Sequence, residues 1–283
     1  MKKILVFLLA FSVVGGAAFA QNLGLTAGVE FNIDALNSDD FDATDSPGTA
    51  IRPFLIWEND ELVEGLELEA ELGLPFWTNY AGDGNFWMDL DLRLFAGYHF
   101  GIGSDGTLRL HLESDNYFEL ASEYDNDAAG TLEFGVKYTH DLGNGLSLFG
   151  KVALPFLLYS TGPLGAFDWV GLDFTLGMSA EINPGVFGFE LAFYNNIEGY
   201  DHFAHELSLL PSFEFSAIPL YIEVEFVIPL WENGMDWSGM SIIPEVSYEI
   251  IPGLEAWLNL PIHGIGSNFD ATVGLGLGIQ FSF

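Results

Sequence analysis

Hydrophobic and polar residues alternate along most of this chain. Leu66, Leu68, Ala70, Leu72 and Leu74 alternate with glutamates at positions 67, 69 and 71. In the last segment, 271–283, apolar residues that end in phenylalanine alternate with glycine, glutamine, threonine and serine. A period of two residues places successive side chains on opposite faces of a β-strand. The pattern therefore predicts strands with one apolar and one polar face.

Reading the whole chain for this period gives fourteen segments, and no helical period competes with them. No run of about eighteen apolar residues occurs after residue 20, so a membrane-spanning helix is not indicated there. The predicted strands are 23–33, 49–57, 66–77, 86–100, 107–114, 131–140, 146–158, 169–182, 186–194, 204–215, 220–230, 240–250, 254–263 and 271–283.

The charged residues test this register. Away from the strand ends, every Asp, Glu, Lys and Arg of these segments falls on the polar parity. A charge that faces lipid at the bilayer midplane costs about 2–4 kcal/mol, so a lipid-exposed face requires this segregation. A soluble β-sandwich or propeller also alternates its faces and stays open as an alternative.

The connections differ in length from one end of the strands to the other. Tight turns of Gly, Pro and Asn alternate with longer acidic connections at 34–48, 115–130 and 195–203. Short turns at one end and long loops at the other are typical of membrane barrels.

The N-terminus has the pattern of a secretory signal. Lys2 and Lys3 precede an apolar run from Ile4 to Val14, and the stretch ends in Ala18-Phe19-Ala20. A basic head, a short apolar middle and an A-x-A site predict a cleaved signal peptide over residues 1–20. The barrel is then expected to occupy residues 21–283.

Charge and cysteine content narrow the function. Removing residues 1–20 takes away two of 7 basic residues and none of 41 acidic ones, so the remaining net charge is 5 − 41 = −36. So acidic a protein repels nucleic acid, which we exclude as a partner. The chain has no cysteine. Disulfides and thiolate metal sites are therefore excluded.

The signal, the alternating hairpins and the terminal Phe281-Ser282-Phe283 resemble those of bacterial outer-membrane β-barrel proteins, and the size is similar to that of small monomeric fourteen-stranded porins. The resemblance implies an all-β, transmembrane, antiparallel up-and-down barrel in the bacterial outer membrane. It also implies contact with outer-membrane lipid and recognition of the C-terminal strand by the barrel-assembly machinery. The expected activity is passive diffusion of small hydrophilic solutes, not enzyme catalysis.

Fourteen strands about 4.8 Å apart and tilted by about 40° give a barrel about 28 Å across, with a gap of about 18 Å between side chains. Such a barrel is open unless a segment plugs it. The segment 115–130, which contains Tyr117, Phe118 and Tyr124, is predicted to be a loop and is a candidate for folding inward as a constriction.

The polar parity would line the lumen with charge. All five basic residues after residue 20 lie on strands 2–7, whereas strands 8–14 carry only acids. Near mid-height, Glu71, Arg93, Glu113 and Lys151 would face Glu190, Glu225 and Glu245; the other predicted pore-lining bases are Arg52, Arg109 and Lys137. Carboxylate-lined pores favour cations, so we predict a cation-preferring channel. Alternatively, the acids only solvate a wide lumen and the bases relieve their repulsion.

Other sites and functions stay open. His202, His205 and Glu206 could bind a divalent metal, but a spacing of three in a strand points the two histidines to opposite faces, so neither a metal site nor a cofactor is predicted. A transporter for apolar solutes would use inward aromatic residues. The candidates are Phe54, Trp87, Phe95, Phe149 and Trp257. A barrel adhesin would use external loops, and a hydrolase would need a serine near His202, His205 or His263.

Overall fold

A computed structural model describes residues 24–33, 48–60, 63–79, 86–121, 128–160, 168–169, 171–198, 202–231, 234–235, 240–265 and 272–282. The predicted signal peptide at 1–20 lies outside these residues and stays a prediction. The described chain crosses one sheet fourteen times, always antiparallel to the preceding crossing. No helix in this part of the chain is long and apolar enough to span a membrane.

Five of the fourteen strands are interrupted once. The strands are β1 (Leu25–Ile33), β2 (Gly48–Asn59), β3 (Leu66–Gly73 and Phe76–Asn79), β4 (Phe86–Ile102), β5 (Gly106–Ala121), β6 (Ala128–Gly143), β7 (Leu146–Ser160), β8 (Asp168–Trp169 and Asp173–Ile182), β9 (Gly185–Glu198), β10 (His202–Phe215), β11 (Leu220–Trp231), β12 (Gly234–Met235 and Ser241–Ile251), β13 (Leu254–Asn259 and Ile262–His263) and β14 (Thr272–Val273 and Leu275–Ser282). The predicted architecture of about fourteen strands is confirmed.

The sheet closes on itself. Each strand pairs with the next one along the chain, and β1 also pairs with β14, from Thr26 opposite Ser282 to Ile33 opposite Leu275. Closure leaves no free sheet edge, so every strand has two hydrogen-bonded neighbours. The fold is a closed antiparallel β-barrel.

The two ends of the barrel differ. At one end, which we call the turn rim, tight connections such as 144–145 and 183–184 join the strands. Asn144 and Gly145 adopt positive φ angles of 56° and 73°, a conformation that glycine and asparagine tolerate best. The connections at the opposite end, the loop rim, consist largely of residues outside the described part of the chain.

The two faces of the wall carry opposite chemistry. Leucine, isoleucine, valine and phenylalanine side chains cover the convex face, where Leu94 is 45% and Ile279 is 46% exposed. The charged residues lie on the other parity and bond across two strands: Arg52 on β2 reaches Asp91 on β4. Side chains of strands about 9.6 Å apart converge on the concave side of a curved sheet. Charges therefore lie inside and hydrocarbon side chains outside.

The interior is not a packed hydrophobic core. In the described ranges, no large apolar side chain is fully buried, and four of the eight buried apolar residues are alanines, such as Ala50 and Ala153. A soluble sandwich of this size would bury large aliphatic side chains between its sheets. The soluble alternative therefore does not describe this chain.

The predicted loop at 115–130 is wrong for most of its length. β5 continues to Ala121 and β6 begins at Ala128, with Asn116 opposite Gly130 and Phe118 opposite Ala128. Asp115 and Asn116 are typical turn formers, but the backbone ladder between the two strands continues through them. Only residues 122–127 connect the strands, and Tyr124 lies outside the described residues. In the same way, β9 continues to Glu198 and β10 begins at His202. The predicted connection at 195–203 is therefore shorter in the structure.

Prolines mark two of the interruptions. Pro75 separates the halves of β3, and Pro261 separates the halves of β13. Proline has no N–H to donate to the ladder, so a strand breaks or bulges where it occurs. The carbonyl of Pro261 still accepts a bond of 2.7 Å from the N–H of Gly274 on β14, so the wall stays continuous there.

Candidate functional site on the concave face

Arg52 is the centre of one charge cluster near the loop rim. Its guanidinium donates to Glu30 on β1 at 3.1 Å, to Asp91 on β4 at 3.3 Å and to Glu71 on β3. Gly73 lies directly beneath, since a Cβ there would come within 2.6 Å of the Arg52 Nε atom. The glycine thus leaves room for an arginine that neutralises carboxylates of three strands.

Arg93 on β4 forms the second cluster. Its Nε donates to Glu113 Oε1 at 2.6 Å, and its Nη1 lies 3.2 Å from Glu69 Oε1. Asp115 is more distant, at 3.9 Å. Arg93 and Glu113, which the sequence analysis placed near the same height, thus form an ion pair. Glu71 faces Arg93 in the strand register but bonds to Arg52.

A third cluster contains two residues, His111 and Glu133, that were not among the predicted pore-lining residues. Glu133 Oε1 accepts from the Lys151 ammonium at 2.8 Å and lies 3.1 Å from Nε2 of His111. The His111 side chain is fully buried, because its ring stacks on Phe95 at 5.5 Å and covers Gly135. Only the glycine opposite in the strand ladder could have indicated this, and register is not readable from a single strand.

One group of described residues, taken from the second and third clusters, could offer ligands to a metal ion. One ligand atom each of His111, Glu113 and Glu133 lie within 4.8 Å of one another. However, Lys151 already bonds to Glu133 and Arg93 to Glu113. A metal ion would have to compete with these two cations. The side chains of His202 and His205, the other candidate ligands, lie outside the described part.

Arg109 and Lys137 complete the basic set, nearer the turn rim. Arg109 Nη1 lies 3.2 Å from Glu67 Oε2, and its Cζ lies 5.2 Å from the centre of the Phe95 ring. The Lys137 ammonium lies 4.0 Å from the centre of the Phe149 ring. Arginine and lysine over aromatic faces form cation–π contacts.

The opposite wall, β8–β14, is acidic and holds its carboxylates with neutral donors. Ser208 donates to Glu225 at 2.7 Å, and Gln280 donates to Glu255 at 3.0 Å. Glu245 stands directly opposite Glu223 in the ladder. The ion pairs of Arg52, Arg93, His99, Arg109, His111 and Lys151 all join strands of β1–β7. None of these pairs involves Glu190, Glu225 or Glu245.

Inward aromatic rings lie flat against the wall. A Cβ added to Gly278 would lie 1.9 Å from the Trp257 ring, and one added to Gly177 would lie 2.2 Å from the Phe149 ring. The facing glycines therefore leave the space that the rings occupy, which we call the ring seat. Phe54 and Phe95 are only 6% and 7% exposed, so neither ring offers an open face to a solute. The side chain of Trp87 lies outside the described part.

We expect Gly278→Ala to lower single-channel conductance, because the new methyl group displaces the Trp257 indole from its seat into the lumen. Overpacking of this kind also costs about 1–3 kcal/mol of stability. Planar-bilayer recording of refolded protein measures the conductance. Gly101→Ala is the matched control, since a Cβ at Gly101 meets nothing within 4 Å. Equal conductance of Gly278→Ala and wild type would contradict the proposed ring seat.

One serine lies within hydrogen-bond reach of a histidine. Ser241 Oγ and His263 Nδ1 are 3.0 Å apart on β12 and β13, near the loop rim. A hydrolytic serine needs a base that a third group orients, and an oxyanion hole. No carboxylate of the described residues pairs with His263. The pair alone therefore does not define a hydrolytic site.

No protein-family profile and no curated protein sequence matches the chain. Among solved structures, a porin of Rhodopseudomonas blastica is similar over 92% of this chain and 99% of its own, with a TM-score of 0.43 and 11% identity. The Pseudomonas putida toluene transporter TodX is similar over 92% of this chain and 90% of its own, with a TM-score of 0.49 and 9% identity.

Proposed function

We propose that this chain forms a water-filled channel of the bacterial outer membrane, through which small hydrophilic solutes diffuse passively and cations pass more readily than anions. The predicted signal peptide and the apolar convex face support the location. Outer-membrane lipid would contact that face, and the barrel-assembly machinery would recognise β14, the strand that closes the barrel against β1. No catalytic role is part of the proposal.

The distribution of unpaired charge carries the proposal of cation preference. Arg52, Arg93, Arg109 and Lys151 all contact carboxylates on the β1–β7 wall. On the β8–β14 wall, Glu225 and Glu255 accept hydrogen bonds from Ser208 and Gln280, which carry no charge. Their charge is therefore available to a permeating ion, and rings of carboxylates favour cations.

The inward aromatic residues give little support to the rival function, transport of apolar solutes. Such a transporter needs an apolar pocket with exposed aromatic faces. Here cations cover the rings of Phe95 and Phe149, and glycines seat those of Phe149 and Trp257.

Reversal potentials test the proposal. Refolded protein in a planar bilayer with a KCl gradient is expected to carry a large steady current whose reversal potential has the sign of K⁺ preference. A steady current with Cl⁻ preference would overturn the proposed cation selectivity but not the proposed channel. Silence of correctly inserted barrels would overturn the channel and favour an apolar-solute transporter or an adhesin.

A further inference from the structure

Four basic side chains stand side by side on the concave face, although the chain is poor in basic residues. His99 on β4 is opposite Arg109 on β5, which is opposite Lys137 on β6, which is opposite Lys151 on β7. We call these four residues the basic row. Like charges directly opposite each other in a sheet are destabilising. The row contains three of the five Lys and Arg residues that follow residue 20.

Every member of the row except Lys137 contacts a carboxylate. His99 and Arg109 share Oε2 of Glu67, at 3.0 and 3.2 Å, and Lys151 bonds to Glu133 at 2.8 Å. Lys137, between them, has no carboxylate of the described residues within ion-pair distance and rests on Phe149. The Nε atom of Arg109 is buried and has no hydrogen-bond partner. If the row served only to balance Glu67 and Glu133, Lys137 would be unnecessary.

A carboxylate lies farther along the wall from this free positive charge. Phe149, beneath Lys137, covers Gly177 of β8, and Gly177 is opposite Glu190 of β9. Glu190 is close enough to interact electrostatically with Lys137 but does not form an ion pair with it. Lys137 and Glu190 thus form a separated positive and negative centre on one side of the lumen.

The surrounding charge limits which ligand can use such a site. A simple anion would be repelled by a chain with 41 acidic and 7 basic residues. A simple cation would be repelled by the basic row itself. A zwitterion has no net charge and can place a carboxylate on the row and an ammonium group near Glu190.

We propose that the lumen contains a binding site for amino acids, in which Lys137 and Arg109 bind the carboxylate and Glu190 binds the ammonium group. This inference rests on the proposed function, because the ligand must reach the site through a water-filled lumen. An ammonium group supplies three donors and a guanidinium supplies five, and their bonds to a carboxylate are charge-assisted. Such a site makes the channel selective for amphoteric solutes at low concentration.

The test compares uptake of labelled L-alanine and labelled glycerol into proteoliposomes. Glycerol is uncharged and of similar size, so its entry reports inserted, open barrels in every variant. In the wild type, alanine uptake is expected to saturate, whereas glycerol uptake stays linear with concentration. Lys137→Met and Glu190→Gln are each expected to lower the alanine-to-glycerol ratio at low alanine by about fivefold, the effect of one lost charge-assisted contact.

Matched controls remove one charge of the same sign outside the site. Arg52→Met and Glu255→Gln are expected to retain saturation. Alanine uptake that stays linear in the wild type, or equal ratios in site and control variants, would overturn the site. Competition by acetate as strong as that by glycine would overturn the amphoteric assignment. Absence of both glycerol entry and KCl current would instead overturn the proposed channel.

Discussion

Leu191→Arg is expected to lower the free energy of unfolding in lipid vesicles by about 2–4 kcal/mol, the cost of an arginine that faces lipid near the bilayer midplane. Leu191 lies midway along β9 and is opposite Leu176, which is 46% exposed on the convex face. The membrane has no water to solvate a guanidinium there. Reversible urea unfolding from vesicles measures the change.

The neighbouring residue provides the matched control for this prediction. Glu190 has the same height on β9 but the concave parity, so Glu190→Arg places the same side chain in the proposed aqueous lumen. We expect the control variant to lower the free energy of unfolding by well under half as much as Leu191→Arg does. Equal losses from the two variants would show that the convex and concave faces have the same surroundings, which contradicts a membrane barrel.

Replacing Glu190, Glu225 and Glu245 together by glutamine is expected to reduce the K⁺ to Cl⁻ permeability ratio by about tenfold, because K⁺ entry falls and Cl⁻ entry rises by about threefold each. A carboxylate about 8 Å from an ion in water contributes about 0.5 kcal/mol, and salt near 0.1 M reduces the sum for three by roughly half. Reversal potentials in a KCl gradient measure the ratio.

A second triple variant separates position from total charge. Glu181, Glu214 and Glu249 belong to the same half of the barrel, but they are exposed near the turn rim. Their replacement by glutamine removes the same charge and is expected to change the ratio less, because the wider mouth holds more water and salt. An equal change would support the view that the acids only solvate the lumen.

The sequence predicts correctly which face of the barrel wall each side chain occupies, but it predicts the ends of the strands less well. Each Leu–Glu alternation, such as that of Leu66–Leu72, assigns its residues to a face without reference to any other strand, and the structure has those faces. The predicted end of β5 was wrong because Asp115 and Asn116 favour turns locally, whereas pairing with β6 stabilises them in the strand. Local propensity and cross-strand pairing conflict most at strand ends.

The sequence by itself determined the number of strands, the face of each side chain and the confinement of the basic residues to one half of the barrel. A period of two is a property of each strand alone. Only the tertiary structure decided which side chains meet. Arg52 contacts Asp91 two strands away, His111 stacks on Phe95, and Lys137 lies between Arg109 and Lys151. These contacts depend on the stagger between neighbouring strands, which backbone hydrogen bonds, turns and bulges set jointly around the closed barrel.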